Sequence, residues 1–404
     1  MIVTGVIAEY NPFHNGHAYQ LREARRKTGA DYIIVVMSGD YVQRGTPAIL
    51  EKHLRARMAL SHGADLVLEL PVRFASASAK DFASGAVEIL HDLGVVNYLC
   101  FGSEHGEISP FIKIARLLEQ EPVIYQEVLK KEQKKGASYP AAHHKALQAA
   151  FRETNLFEDE KLPLSDEFFT SPNNTLGIEY VKAIRSLSSP IIPCTVARTS
   201  NNYHSEKVDS CFASATAIRH ILLNKGAEKL QGLVPQDVLS ELARAQKSGS
   251  VMTEEDYSLL LKYTLMQNTP DTLAAYLDFP ESLAHRVCNS LQDFRSFGQF
   301  AEQLKTRDIT RVRINRALLH TILQLKQDGG APPFIRMLGF RKESAGLLKH
   351  IKNSSSRELT GKLADIPPES YKEDLFASNL YHTVSAMKRK TSSTDERSIP
   401  LVIR

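Results

Sequence analysis

The stretch Asn11-Pro12-Phe13-His14-Asn15-Gly16-His17 sets two imidazoles three residues apart, close behind an apolar run from Ile2 to Ala8. Residues so spaced share a helical face, so His14 and His17 can both donate to phosphate oxygens, and Gly16 lets the backbone come close to a nucleotide. The turn between a strand and a helix is where α/β folds bind phosphates, at the carboxyl ends of their strands. The pattern predicts chemistry at the α-phosphorus of a nucleotide, in preference to two histidines that only cap a helix. A second candidate is Ala213-Ser214-Ala215-Thr216-Ala217-Ile218-Arg219. Ser214 and Thr216 offer hydroxyls and free N–H groups at a helix start, and Arg219 adds charge one turn on. Asp40 and Arg44 follow a further apolar run. There Arg44 can hold a carboxylate and Asp40 can orient a base or an amine, or the two can simply pair across a turn.

These residues need a scaffold, and the apolar runs supply it. Ile2 to Ala8, Tyr32 to Met37, Leu66 to Leu70 and Val95 to Phe101 read as buried parallel strands, alternating with helical segments His17 to Lys27, Ala48 to Ser61 and Lys80 to Leu93. That alternation predicts a doubly wound parallel α/β sheet. A helical insertion follows, with helices over Ser109 to Glu119, Pro122 to Lys135 and Ala141 to Phe151, then an acidic irregular stretch from Phe157 to Phe168. The α/β pattern resumes with a helix from Asn174 to Ser186, a strand from Ile191 to Ala197 and a helix from Ser214, so the first domain is expected to span residues 1–223. Residues 224–404 read as mostly helical, with a strand or two in the tail and a mobile loop over Lys388 to Thr394.

Composition narrows the class. With 24% charged and 43% hydrophobic residues in 404, the chain is of ordinary globular type. It has no basic leader or cleavage site after Met1 and no apolar run near the ~18 residues of a membrane span, which points to the cytoplasm. Cys100, Cys194, Cys211 and Cys288 are far apart, so neither a disulfide framework nor a zinc site is indicated. A net charge of +4 is too small to imply nucleic acid, but between Arg307 and Lys352 ten Lys or Arg residues face three acids. Arg311, Arg313 and Arg316 lead into one helix there and can either follow RNA phosphates or form a merely solvated helical face.

The chain resembles the H-x-G-H nucleotidyltransferases, which include the pantetheine-phosphate and nicotinamide-mononucleotide adenylyltransferases. Ala213 to Arg219 matches their I-S-x-T-x-I-R motif except for Ala213 at the first isoleucine. Over its whole length it is similar to the bacterial tRNA(Met) cytidine acetate ligase family. The similarity rests on Gly5 to His17, Met37-Ser38-Gly39-Asp40-Tyr41-Val42-Gln43-Arg44-Gly45, Phe101-Gly102-Ser103-Glu104, Ser171 to Tyr180 and Ala197-Arg198-Thr199. The resemblance implies an enzyme that activates acetate with ATP and acetylates the wobble cytidine of elongator methionine tRNA. It implies ATP contacts from Ile7, Ala8, Glu9, Tyr10, Asn11, Pro12, Phe13, His14, Asn15, Gly16, His17, Ala18, Tyr19 and Gln20. Gly102 would leave room for the adenosine, and Asn173, Asn174 and Arg198 would complete the site, with the inward asparagine left open. No carboxylate cluster in the sequence marks a metal site, although Mg²⁺ is compatible with the chemistry, and subunit number is left open. The alternatives are a small-molecule adenylyltransferase, which gives the helical half no task, and a non-enzymatic RNA-binding factor, which leaves the intact His14/His17 pair unused.

Overall fold

The computed structural model describes residues 1–120, 122–137, 139–153, 168–169, 171–198 and 212–404. The β-branched runs become β1 (Val3–Ala8), β2 (Tyr32–Ser38), β5 (Leu66–Leu70), β6 (Tyr98–Ser103) and β7 (Ile192–Ala197), with a short antiparallel hairpin, β3 (Tyr41–Val42) and β4 (Thr46–Pro47), between β2 and β5. Three strands follow late in the chain, β8 (Phe334–Phe340), β9 (Glu358–Thr360) and β10 (Val402–Ile403). The main sheet runs β10-β8-β5-β2-β1-β6-β7, with β9 also on β8. Pairing is parallel from β5 through β7, β1 lying on β2 with Val3 opposite Tyr32 and Ala8 opposite Met37. Within this sheet, among the described residues, only β5 and β8 pair antiparallel. The central strands are covered on both faces, and so they read as unbroken apolar runs instead of alternating ones.

One face carries Ile34, Leu68, Leu90, Phe101 and Phe111 in a core that takes in helices of the insertion. The other carries Val6, Phe13, Val35 and Met37 against the helices Asn15–Thr28, Lys52–Ser61, Ala215–Lys225 and Gln236–Ser248. A third core lies within the later helices and includes Tyr41 from the β3–β4 hairpin.

The expected elements are mostly in place, with three differences. β6 starts at Tyr98, not Val95, because Gly94 turns the chain at φ +68° and Val96 fills the core from the approach to the strand. The main sheet takes strands from both sides of residue 223, and β8 is broken in the sequence by Arg336 and Gly339, which hide its period. The expected loop over Lys388 to Thr394 begins as helix: Lys388 and Arg389 close the helix Lys372–Arg389, and Lys388 Nζ bonds the Asp256 carboxylate at 2.8 Å. The insertion helices form as Ser109–Glu119, Val123–Lys134 and Tyr139–Glu153, while the acidic stretch expected over Phe157 to Phe168 lies outside the described residues up to 167. Among the described residues no helix is long and apolar enough to cross a membrane.

Candidate active site

The site sits at the carboxyl ends of β1 and β6. After Ala8 the chain makes a tight turn through Tyr10 at φ +48° and a cis Asn11–Pro12 bond before entering the helix Asn15–Thr28. A polar framework fixes that turn. The Asn11 side-chain oxygen accepts the Ile49 N–H at 2.8 Å, and a Glu9 carboxylate oxygen accepts the Gln43 N–H at 2.9 Å. Arg55, wholly buried, donates to the carbonyls of Glu9, Ser38, Gly39 and Leu50, and so ties the ends of β1 and β2 together. A guanidinium is costly to bury, and these hydrogen bonds to carbonyl oxygens offset that cost.

His14 is the N-cap of the helix. Its Nδ1 accepts the Gly16 N–H at 3.1 Å, and His17 Nδ1 accepts the His14 N–H at 3.3 Å, closing a capping box made of two imidazoles. The rings stack 3.6 Å apart, with Tyr10 edge-on to His17 at 4.8 Å and Phe13 beside it. Burial, with Arg198 and Arg219 nearby, pulls the His14 pKa down to about 3. Burial, His14 and Arg198 hold His17 well below its ordinary value. Both rings are therefore neutral near pH 7. Because each Nδ1 is an acceptor, each ring proton resides on Nε2, leaving two neutral N–H donors side by side.

The second motif converges on the same place. Ser214 caps the helix Ala215–Lys225 by accepting the Ala217 N–H at 3.2 Å, and Arg219 donates to the Asn11 carbonyl at 2.7 Å and to Thr216 Oγ1 at 3.2 Å. Opposite, Arg198 follows β7 and its Nε lies 3.7 Å from the Glu104 carboxylate. Gly102 stands beside it, and a side chain there would begin 3.4 Å from Arg198 Cγ. Of the two asparagines, Asn173 reaches the same Glu104 and lies at the rim. Asn174 is buried, its amide taken up by Ser103 at 2.8 Å and the Phe168 carbonyl at 3.1 Å. The Asn174 amide is thus committed to contacts within the protein, and Ser171, not Asn173, occupies the N-cap position. Asn15 is also engaged elsewhere, through Gly232 and Leu233.

Asp40 and Arg44 do not pair. Arg44 is exposed, while Asp40 is buried and accepts the Lys52 N–H at 2.9 Å, with Lys52 Nζ 3.6 Å away. Lys52 is the hub of a network that the sequence did not reveal. Its ammonium meets Glu69 at 2.7 Å and Glu396 at 3.2 Å, Glu396 accepts from His53 and His382 at 2.8 and 2.7 Å, and Arg336 joins Glu69 to Glu396. Asp40, His382 and Glu396 bring possible metal-ligand atoms within 4.8 Å of one another, but the Lys52 ammonium already sits among those carboxylates as their cation. Burial alone would raise the Glu396 carboxyl, yet Lys52 and the two histidine hydrogen bonds hold it far below the carboxylate range. The available signal was Glu69, a lone carboxylate inside the apolar run Leu66 to Leu70. Of the three candidate RNA contacts, Arg311 is paired with Glu302 at 2.8 Å and Arg316 with Asp278 at 2.7 Å, which leaves Arg313 exposed without an ion pair among the described residues.

A nucleotide site of this kind, with the helix-capping histidines at the end of the first strand, defines a nucleotidyltransferase, and the comparisons agree. The family model for HIGH nucleotidyl transferases matches residues 1–397. A tRNA(Met) cytidine acetate ligase of Acetivibrio thermocellus is 38% identical over 379 residues, covering 90% of this chain and 89% of the relative. That of Bacillus subtilis is 37% identical over 392 residues, covering 94% and 92%. The crystal structure of Thermotoga maritima TmcAL bound with alpha-thio ATP superposes with a TM-score of 0.88 at 31% identity, over 100% of this chain and 99% of that one. The chain belongs to the HIGH nucleotidyl transferase family and, within it, to the tRNA(Met) cytidine acetate ligases.

Proposed function

We propose that this protein is an ATP-dependent acetate ligase that acetylates the wobble cytidine of elongator methionine tRNA in the cytoplasm. An acetate oxygen attacks the α-phosphorus of ATP, the bond to the β-phosphate oxygen breaks and pyrophosphate leaves, giving acetyl-adenylate. The cytidine exocyclic amine then attacks the acetyl carbonyl, the bond to the AMP oxygen breaks, and the amine gives up a proton. The observation that carries the reading is the meeting of two neutral imidazole donors with Arg198 and Arg219 at the carboxyl-end rim of the sheet. Fixed donors at the point where phosphoryl charge grows act only weakly on the ground state and strongly on the transition state. In this reading the span Ile7 to Gln20 lines ATP, with Gly102, Asn173 and Arg198 around the adenosine side and Ser214, Thr216 and Arg219 on the phosphate side. Residues 1–223 supply the nucleotide site and residues 224–404 the greater part of the RNA contacts, with Arg313 free for phosphate. In this reading Asp40, held by Lys52, supports that rim.

The test is exchange of labelled pyrophosphate into ATP. Exchange is expected only when acetate is present, without any tRNA, and tRNA should then discharge the intermediate to AMP. Acetylated tRNA formed from acetyl-coenzyme A with no ATP would overturn the mechanism.

A further inference from the structure

We propose that the helical insertion and the segment from Arg307 to Arg316 form one RNA-docking wall that leads to the nucleotide site. The inference rests on tRNA as the second substrate, and it gives the insertion a task that the ATP chemistry does not.

The helix Val123–Lys134 ends in Lys130, Lys131 and Lys134, all exposed and adjacent on its surface by the three- and four-residue rule. Glu132 among them is buried and occupied on both oxygens, by Lys135 and by Lys145 at 2.7 Å each, so it does not neutralise the other three. Glu127 is the remaining acid of the helix and lies one turn back. The chain then turns at Gly136, at φ +80°, where a Cβ would lie 3.2 Å from Arg307 Cζ. The Arg307 guanidinium therefore packs directly on the turn that follows the lysines. Arg307 has Asp308 beside it in sequence but no ion pair among the described residues.

From Arg307 the chain passes the free Arg313 to the backbone of Asn315 and Arg316, which presses on Gly45. At φ +71°, a Cβ on Gly45 would come 2.3 Å from the Arg316 nitrogen. Gly45 closes the hairpin that carries the exposed Arg44, and the charge of Arg44 is felt at Arg219, which holds the Asn11 carbonyl. Ten residues thus connect the insertion to the rim of the nucleotide site, with Arg307 and Arg313 unpaired among the described residues, Arg311 and Arg316 held by Glu302 and Asp278, and Asp308 the one acid within the segment. A row of unmatched cations ending at a reaction site fits a polyanion whose one reactive base must reach that site, and an RNA phosphate backbone has this chemistry. An acidic protein partner would be drawn to the same row without being modified, and the experiment separates the two.

The experiment compares the full-length protein with a Lys131→Gln/Lys134→Gln/Arg307→Gln variant, using elongator methionine tRNA transcript as the probe. The variant should bind tRNA roughly tenfold or more weakly near 0.1 M salt, with the salt slope reduced by about 2, since each phosphate contact contributes about 0.7 to 0.9. Acetate-dependent exchange without tRNA should be unchanged, and a Lys131→Arg/Lys134→Arg/Arg307→Lys variant should bind like wild type. Should the triple variant lose exchange, Lys131→Gln/Lys134→Gln alone carries the test, because both positions are exposed. Unchanged affinity and slope would overturn the wall, as would an equal loss of tRNA affinity in the charge-preserving variant. Wild-type protein that shows acetate-dependent exchange but binds no tRNA would remove RNA as the occupant. Absence of exchange in the wild type would instead refute the proposed reaction, which the binding data alone cannot do.

Discussion

Two groups of histidines in this protein are treated in opposite ways. His14 and His17 stack on each other among aromatic rings and arginines, with no carboxylate among the described residues bonded to either, and are held neutral. His53 and His382 both bond Glu396, and the His382 pKa is raised, its burial outweighed by that carboxylate and by Asp40. Residue type alone does not decide charge; the nearest partner does. The neutral pair has its Nδ1 atoms satisfied by backbone and its Nε2–H groups spare, as a ligand site needs. The Glu396 network has almost every charge answered within the protein. One region is prepared for a visitor and the other holds the fold together.

The largest effect that would break this contrast concerns Glu396. Removing it leaves Lys52, Arg336, His53 and His382 without their shared acceptor, in a place where Lys52 is fully buried. Glu396→Ala should cost about 3–5 kcal/mol of stability, the usual penalty for breaking one side of a buried ion pair. Chemical denaturation would measure it. A loss below ~1 kcal/mol would mean that the network is no more than a solvated cluster.

Next in size is the active-site pair. His17→Ala should lower acetate-dependent exchange by ~10²-fold or more while ATP affinity changes far less, because a donor aimed at developing charge contributes mainly in the transition state. His17→Asn keeps an acceptor for the His14 N–H but has no donor at the Nε2 position. It should match His17→Ala in rate and match wild type in thermal stability. Wild-type turnover in either variant would show that His17 serves the helix cap alone.

The legible part of the site in the sequence was the part that is local. His14, Gly16 and His17 are neighbours on one turn, and Ser214, Thr216 and Arg219 on another, so spacing and residue type suffice to read them. The Lys52–Glu396 network joins residues more than 300 positions apart, and no period connects them. Asn173 and Asn174 show the limit at single-residue scale. Both suit a rim, and only the Ser103 hydroxyl and the Phe168 carbonyl decide that Asn174 turns inward. Strand β8 escaped for a similar reason: it enters the sheet beside β5 with Arg336 serving Glu69, and a charged residue in mid-strand conceals a buried strand. Arg311 and Arg316 read as free cations because Glu302 and Asp278, 9 and 38 residues away, could not be placed against them.

The smallest expected effect is in the pH dependence of stability, where the two regions should tilt in opposite directions. His14 and His17 have folded pKa values below the ordinary 6.5, so under that pH the unfolded chain binds protons that the folded one refuses. Stability linked to the pair is present above pH 6.5 and is lost as pH falls towards the His14 value of about 3. His382 is raised above 6.5, so its share is full below that pH and is lost as pH rises through its folded value. Asp374, buried near Glu69 and raised to about 7 from 3.8, acts in the same sense as His382, and its cost builds up between those two values. Wild-type stability should therefore climb from pH 4.5 to 6.5, where the two histidines outweigh the single opposing carboxyl of Asp374, and should decline at higher pH as His382 loses its proton. Asp374→Asn keeps an acceptor for the Val72 N–H and removes one opposing term, so its stability should climb more steeply with pH over that window. The difference is limited to one proton, about 1.4 kcal/mol per pH unit at most. His17→Asn should do the reverse and flatten the climb. Denaturation midpoints at several pH values decide it, and a steeper climb in His17→Asn, or a flatter one in Asp374→Asn, would show that the charge states of the two regions have been assigned the wrong way round.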